Sequence, residues 1–161
     1  MACRIDRQLL LGLALILGLG GGARADDEPR QNYFDDPFVQ LTHGIANCPT
    51  PAGPEITAAQ MRSEAHSRAD RGGSCYRSGR CRLSNSYPYD KEIMPRVQLA
   101  VESDGRFASR SSVWAEGQRR WVWLKGCVRS EGDAAELERI VRDIDDVEAV
   151  VNELKVLPAS P

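Results

Sequence analysis

Residues Trp121-Val122-Trp123-Leu124-Lys125-Gly126-Cys127-Val128 alternate with a period of two about a mid-strand glycine, so successive side chains fall on opposite faces of a sheet. Val122, Leu124, Gly126 and Val128 share one face, and Trp121, Trp123, Lys125 and Cys127 share the other. Downstream, Asp133-Ala134-Ala135-Glu136 is an acidic variant of the capping box that opens helices. Leu137, Ile140, Val141 and Ile144 then recur at helical spacing and form one apolar stripe. Val147 to Val156 returns to period two, with Val150, Asn152, Leu154 and Val156 on one face and Val151, Glu153 and Lys155 on the other. The stretch therefore predicts strand, helix and strand, packed through the stripe.

Working upstream, Ser112 to Glu116 predicts the first arm of a hairpin, with Gly117-Gln118-Arg119-Arg120 as its connection. Ile93, Val97 and Val101 lie four apart, the spacing of one helical face. Proline suits only a first helical turn, so Pro95 predicts a helix starting near Ile93. Asp104-Gly105 ends it.

This order, helix-strand-strand-helix-strand over Asp90 to Leu157, resembles the BON domain, a small module of the bacterial cell envelope. The resemblance rests on Asp90, Ile93 and Val97, on Val122-x-Leu124-x-Gly126-x-Val128, and on Val147-x-x-Val150-x-Asn152-x-Leu154-x-Val156. It implies an α+β fold in which a three-stranded sheet carries both helices on one face. It also implies binding of phospholipid or envelope proteins without catalysis. The osmotically induced periplasmic proteins that typify the family, and link it to stress responses, usually carry two such modules. Here residues 26–89 show no second glycine-centred strand pair, and the loop after Glu116 reads about two residues longer than usual.

The first 25 residues read as an export signal, with Arg4 and Arg7 before an apolar run from Leu9 to Leu19, then Ala23-Arg24-Ala25 as a cleavage pattern. The run is too short to cross a bilayer, which takes about 20 apolar residues. Cleavage after Ala25 predicts a periplasmic protein with no transmembrane segment in its mature chain. Removing the leader, whose Arg4, Arg7 and Arg24 outnumber Asp6 by two, takes the formal charge from −2 to −4. Mild acidity argues against a nucleic-acid partner, which calls for a basic excess.

Four cysteines remain, Cys48, Cys75, Cys81 and Cys127, an even count that in an exported chain predicts two disulfides with three possible connectivities. Cys127 faces away from the helices, toward a side the extension could cover, so Cys48–Cys127 with Cys75–Cys81 is the expected pairing. Zinc is the rival, with His43 and His66 available, but the C-x2-C spacing of compact zinc sites is missing.

Residues 26–89 predict a cysteine-containing extension, irregular to Pro54, with one short helix started by Thr57 and Gln60 as a capping box and ended by Gly72-Gly73. Between Arg62 and Arg82 stand Arg62, Arg68, Arg71, Arg77, Arg80 and Arg82 against Glu64 and Asp70, a segment of net +4. It suits anionic headgroups, at roughly 1 kcal/mol per basic residue near a charged surface. It equally suits pairing with Glu131 to Lys155, where nine acidic residues face Arg139, Arg142 and Lys155. Trp114, Trp121 and Trp123 predict an aromatic plate for lipid or partner, or a platform that the extension covers.

For catalysis the chain offers two histidines and no phosphate-cradling loop, and for calcium only the unspaced Asp145, Asp146 and Glu148. The expectation is no enzyme, no cofactor and no metal. The leading function is association with anionic phospholipid or the envelope surface. The alternative is docking of an envelope protein through the Trp-rich face or the extension, and a third is thiol–disulfide chemistry at Cys75 and Cys81.

Overall fold

A computed structural model describes residues 28–157; the export signal predicted for residues 1–25 lies outside them. In chain order the elements are β1 (Arg30–Gln31), β2 (Phe38–His43), β3 (Ile56–Thr57), α1 (Ala58–Gly72), α2 (Ser74–Arg77) and a 3-10 turn (Tyr87–Tyr89). Then follow α3 (Asp90–Asp104), β4 (Ser111–Gln118), β5 (Trp121–Val128), α4 (Glu131–Arg142) and β6 (Ala149–Val156).

The fold is α+β, but its main sheet is four-stranded, in the order β2-β4-β5-β6. The expectation of three strands is corrected by β2, which comes from the extension read as irregular. It pairs antiparallel with β4, from Phe38 opposite Glu116 to His43 opposite Ser112. A register shift between Gln40 and Thr42 breaks its alternation and sends Leu41 into the core. Such a bulge erases the period-two signal by which a strand is read. β1 and β3 make a separate two-stranded ribbon.

The core lies between this sheet and helices α3 and α4. Ile93, Val97 and Val101 of α3 and Leu137 and Val141 of α4 are fully buried with Val113, Ala115, Val122, Leu124 and Val128 of the sheet. Ile140, Ile144, Val150, Leu154 and Val156 are partly buried against that cluster, so the predicted stripe meets the predicted strands. Tyr89 and Phe107 are the bulkiest fully buried side chains, and both lie outside the periodic segments.

Helix starts differ from expectation. α4 begins at Glu131, because Ser130 is its N-cap: the Ser130 hydroxyl accepts from the Asp133 N–H and donates to the Asp133 carboxylate at 2.8 Å. α3 begins at Asp90 and keeps the exposed Pro95 inside. Proline has no N–H, so the Lys91 carbonyl loses its usual helical donor there.

The reason α3 reaches back to Asp90 is the β4–β5 connection. The strands run on to Gln118 and from Trp121, which leaves a two-residue turn, Arg119-Arg120, where a four-residue one was expected. Both arginines have positive φ, 61° and 68°, as a tight hairpin demands and as glycine or asparagine usually supplies. The Asp90 carboxylate compensates by accepting the backbone N–H of Arg119 at 2.6 Å and of Arg120 at 2.7 Å. Asp90 is 1% exposed, and burial pushes its carboxyl up to about 6 against the downward pull of those two donors.

Two outcomes follow for stability. Leu137→Ala should cost about 2–5 kcal/mol in urea unfolding, and Ile140→Ala less because its site is only partly buried. Because the Asp90 pKa of about 6 in the folded chain exceeds its ordinary 3.8, the folded state holds the extra proton between those values. Stability from this group is therefore fullest below about pH 4 and falls as pH rises to about 6, by on the order of 2–3 kcal/mol. Unfolding of wild type and Asp90→Asn at pH 4.5 and 6.5 should show the gap between them narrow at the higher pH; an unchanged gap would refute the shift.

Candidate functional site

The sheet face opposite the helices is built by alternation and closed in part by the extension. Trp114 of β4 is buried, whereas Trp121 and Trp123 of β5 are half-buried, with ring centroids 6.0 Å apart. Trp114 lies over Gly126, whose φ is 118° and whose hypothetical Cβ would stand 3.1 Å from the Trp114 ring and 2.2 Å from the Ser112 carbonyl oxygen. The mid-strand glycine thus lets one indole settle onto the sheet.

Cys48 is disulfide-bonded to Cys127 across 79 residues, and Cys75 to Cys81 across six. This is the expected pairing, and it leaves no free thiolate for zinc among the described residues. The long bridge draws the segment after β2 over the second face. There the Ser112 hydroxyl meets both the N–H and the carbonyl of Ile45, and the Lys125 ammonium donates to the Ala52 carbonyl and the Glu116 carboxylate. A groove of about 510 Å³ lies beside this strap, lined by Pro49, Thr50, Pro51, Lys125, Glu153 and Lys155.

The six arginines from Arg62 to Arg82 do not form one patch. Arg68 is buried, pairs with Asp36 at 2.5 Å and stacks between Phe34 and Tyr87 at 4.0 and 4.1 Å. It clamps α1 to the start of β2 and has no access to a ligand. Burial also raises the Tyr87 phenol pKa. Arg62 and Arg71 lie exposed on α1, with Arg71 hydrogen-bonded to Ser67. Arg77 is exposed and donates to the Asp70 carbonyl.

Arg80 and Arg82 stand apart because their loop lies against the β4–β5 turn, where the Arg120 guanidinium donates to Cys81 Sγ. Arg80 bridges to Glu148 at 2.6 Å, and the Glu148 N–H donates to the Arg120 carbonyl. Arg82 stacks over Tyr89 at 4.8 Å, and Arg120 covers the same ring at 5.3 Å. Arg119 lies over Trp121 at 4.9 Å. At the hairpin end, Arg82 and Arg120 thus gather around Tyr89 on the helix side of the sheet with Arg80 beside them, while Arg119 alone reaches an indole, Trp121, on the other face. Arg80 and Arg82 are 58% and 56% exposed, so they can leave their carboxylates for another anion, whereas Arg120 is 13% exposed and locked in place.

Pairing of the basic segment with the acidic C-terminal third reduces to the Arg80–Glu148 bridge. The carboxylates of α4 pair locally, Glu136 with Arg139 and Arg106, Glu138 with Arg142, and Asp133 with Arg110. Hydrogen bonds from Arg139 and Arg106 hold the Glu136 carboxyl down at about 2. Sequence reading left Arg119 and Arg120 out of the site; their signal, a pair of arginines just before a period-two tryptophan, became meaningful once the turn shrank to two residues.

The family model described as the BON domain matches residues 89–158. Residues 89–158 are a BON domain. The match begins at Tyr89, next to the aspartate that holds the hairpin, and covers both core helices and strands β4, β5 and β6. No curated protein and no solved structure matches the chain. The BON domain here is completed by a strand and two disulfide-held segments that lie outside the matched residues. Among the described residues no helix is long and apolar enough to cross a membrane, and no cluster of His, Cys, Asp and Glu could hold a metal ion.

Cutting the buried clamp should be costly. Arg68→Ala leaves the Asp36 carboxylate without its buried partner and should lower stability by about 3 kcal/mol, whereas the exposed Arg62→Ala should stay within about 0.5 kcal/mol. Paired urea denaturation curves measure both.

Proposed function

We propose that this BON-domain protein is a non-catalytic module of the periplasm that associates with anionic phospholipid at the envelope surface. The observation that carries the reading is the set of arginines at the hairpin end of the sheet, Arg82 and Arg120 about Tyr89 with Arg80 beside them, and Arg119 over Trp121. Arg80 and Arg82 offer exposed guanidinium groups, and a guanidinium pairs with phosphate through two parallel N–H bonds. Trp121 and Trp123 offer half-buried indoles, which favour a boundary that is apolar on one side and wet on the other. The Arg119-Arg120 turn beside them is tied to the core, so little order has to be gained there on contact.

A second reading has its own support. The groove beside the Pro49–Ala52 strap, with Lys125, Lys155 and Glu153 on its walls, suits an extended segment of an envelope protein.

Co-sedimentation with neutral and anionic vesicles at low and high salt separates the two. Binding to anionic vesicles that weakens steeply with salt is expected, since exposed charges are screened over about 8 Å at physiological ionic strength. Arg80→Gln with Arg82→Gln should weaken it about tenfold or more, from roughly 1 kcal/mol per basic residue. Equal affinity for neutral and anionic vesicles, or no effect of the double substitution, would overturn the assignment of these arginines.

A further inference from the structure

The two disulfides occupy different surroundings. Cys48–Cys127 closes a separation of 79 residues, and Cys75–Cys81 one of six, so the short bridge restrains the unfolded chain far less. Cys75 is 2% exposed and Cys81 is half-buried, which leaves Cys81 as the sulfur an outside thiol can reach. The Arg120 guanidinium donates to Cys81 Sγ at 3.0 Å. That guanidinium cannot easily turn away. Its Nε donates to the Asp146 carbonyl at 2.8 Å, its ring contact is Tyr89, and its own backbone N–H is held by Asp90.

A cation fixed against a cysteine sulfur favours the thiolate, the form that leaves when a disulfide is broken. We propose that Cys75–Cys81 is a thiol-exchange site, reducible by a dithiol protein or small dithiol while Cys48–Cys127 stays closed, with Arg120 as its positioning residue. The dithiol's first thiolate attacks Cys81 Sγ; the S–S bond breaks and Cys75 departs, taking a proton in its buried site. The dithiol's second thiolate then attacks its own sulfur in the mixed disulfide and releases Cys81 as a thiolate beside Arg120. The dithiol is oxidised by two electrons to its disulfide. The bridge is reduced by two, and of the two protons lost one rests on Cys75 and one goes to water.

The charges around Cys81 are mixed. Arg80 and Arg82 flank it in sequence and add positive charge. Glu148 opposes them but is tied to Arg80 at 2.6 Å and lies 3.9 Å from Arg120, and Asp146 is bonded to Arg96. The nearest cation to the sulfur is therefore Arg120. The consequence is local: Arg80 lies in the loop that this bridge closes, and Arg82 beside it.

The native chain is equilibrated in graded dithiothreitol buffers, quenched with acid, alkylated and mapped by mass spectrometry. Cys75 and Cys81 should label together at reductant ratios at least tenfold below those needed for Cys48 and Cys127. In Cys75→Ser, whose single free thiol among these four is Cys81, the pH dependence of iodoacetamide labelling should give a pKa below about 7.5, against about 8.5 for an unperturbed thiol. Adding Arg120→Gln should move it up by about a unit. Simultaneous reduction of both bridges, earlier opening of Cys48–Cys127, or a Cys81 pKa at or above 8.5 in Cys75→Ser would overturn the proposal. The Cys75→Ser readout holds even if the glutamine variant fails to fold.

Discussion

One buried carboxylate sets the geometry of the hairpin end. Asp90 opens α3, lies against the end of the β4–β5 hairpin and accepts both backbone N–H groups of a turn made of two arginines. Two residues without glycine at positive φ cost roughly 1–2 kcal/mol each, and their N–H groups point away from the hairpin ladder. A single acceptor facing both donors repairs the second cost and offsets part of the first. Its own penalty is desolvation, which is why its carboxyl is pushed up to about 6. The arrangement also fixes where Arg119 and Arg120 send their side chains, one over Trp121 and one into the space between Tyr89 and Cys81.

The extension then acts on the BON domain at three places. β2 pairs with the open edge of β4, and an unpaired edge is a liability that proteins cover. The Cys48–Cys127 bridge holds the following strap against the second sheet face. The Arg68–Asp36 pair, sealed between Phe34 and Tyr87, joins α1 to the turn before β2, and the Asp36 carboxylate also accepts from Gln118 at the hairpin end. Covering the second face buries Trp114 but leaves Trp121 and Trp123 half open, so the extension shapes a candidate contact surface as well as hiding one.

Much of the domain was legible because its elements obey simple periods. The face assignments of β5 and β6, the core residues of α3 and α4, the Thr57–Gln60 capping box and the stop at Gly105 all stand in the structure. What escaped reading escaped for local reasons. β2 hides behind a bulge at Leu41. The start of α3 is set by a side-chain contact 30 residues away, which outweighs the lost bond at Pro95. Arg68 reads as one more solvated arginine of a polar helix, because nothing in its own neighbourhood announces Phe34, Asp36 and Tyr87 closing around it. The candidate site suffered most, since it joins the 80–82 loop, the 119–121 turn and Glu148, segments distant in sequence that meet through the Arg80–Glu148, Arg120–Cys81 and Glu148–Arg120 contacts.

Amide hydrogen exchange at Arg119 and Arg120 tests the central constraint most directly. The two central residues of a tight hairpin turn ordinarily present their N–H groups to water and exchange freely. Held by the buried Asp90 carboxylate, both amides should be protected to the same degree as those of β4 and β5, and lose that protection in Asp90→Ala. Exchange of either amide at the rate of an open turn in the native chain would contradict the account.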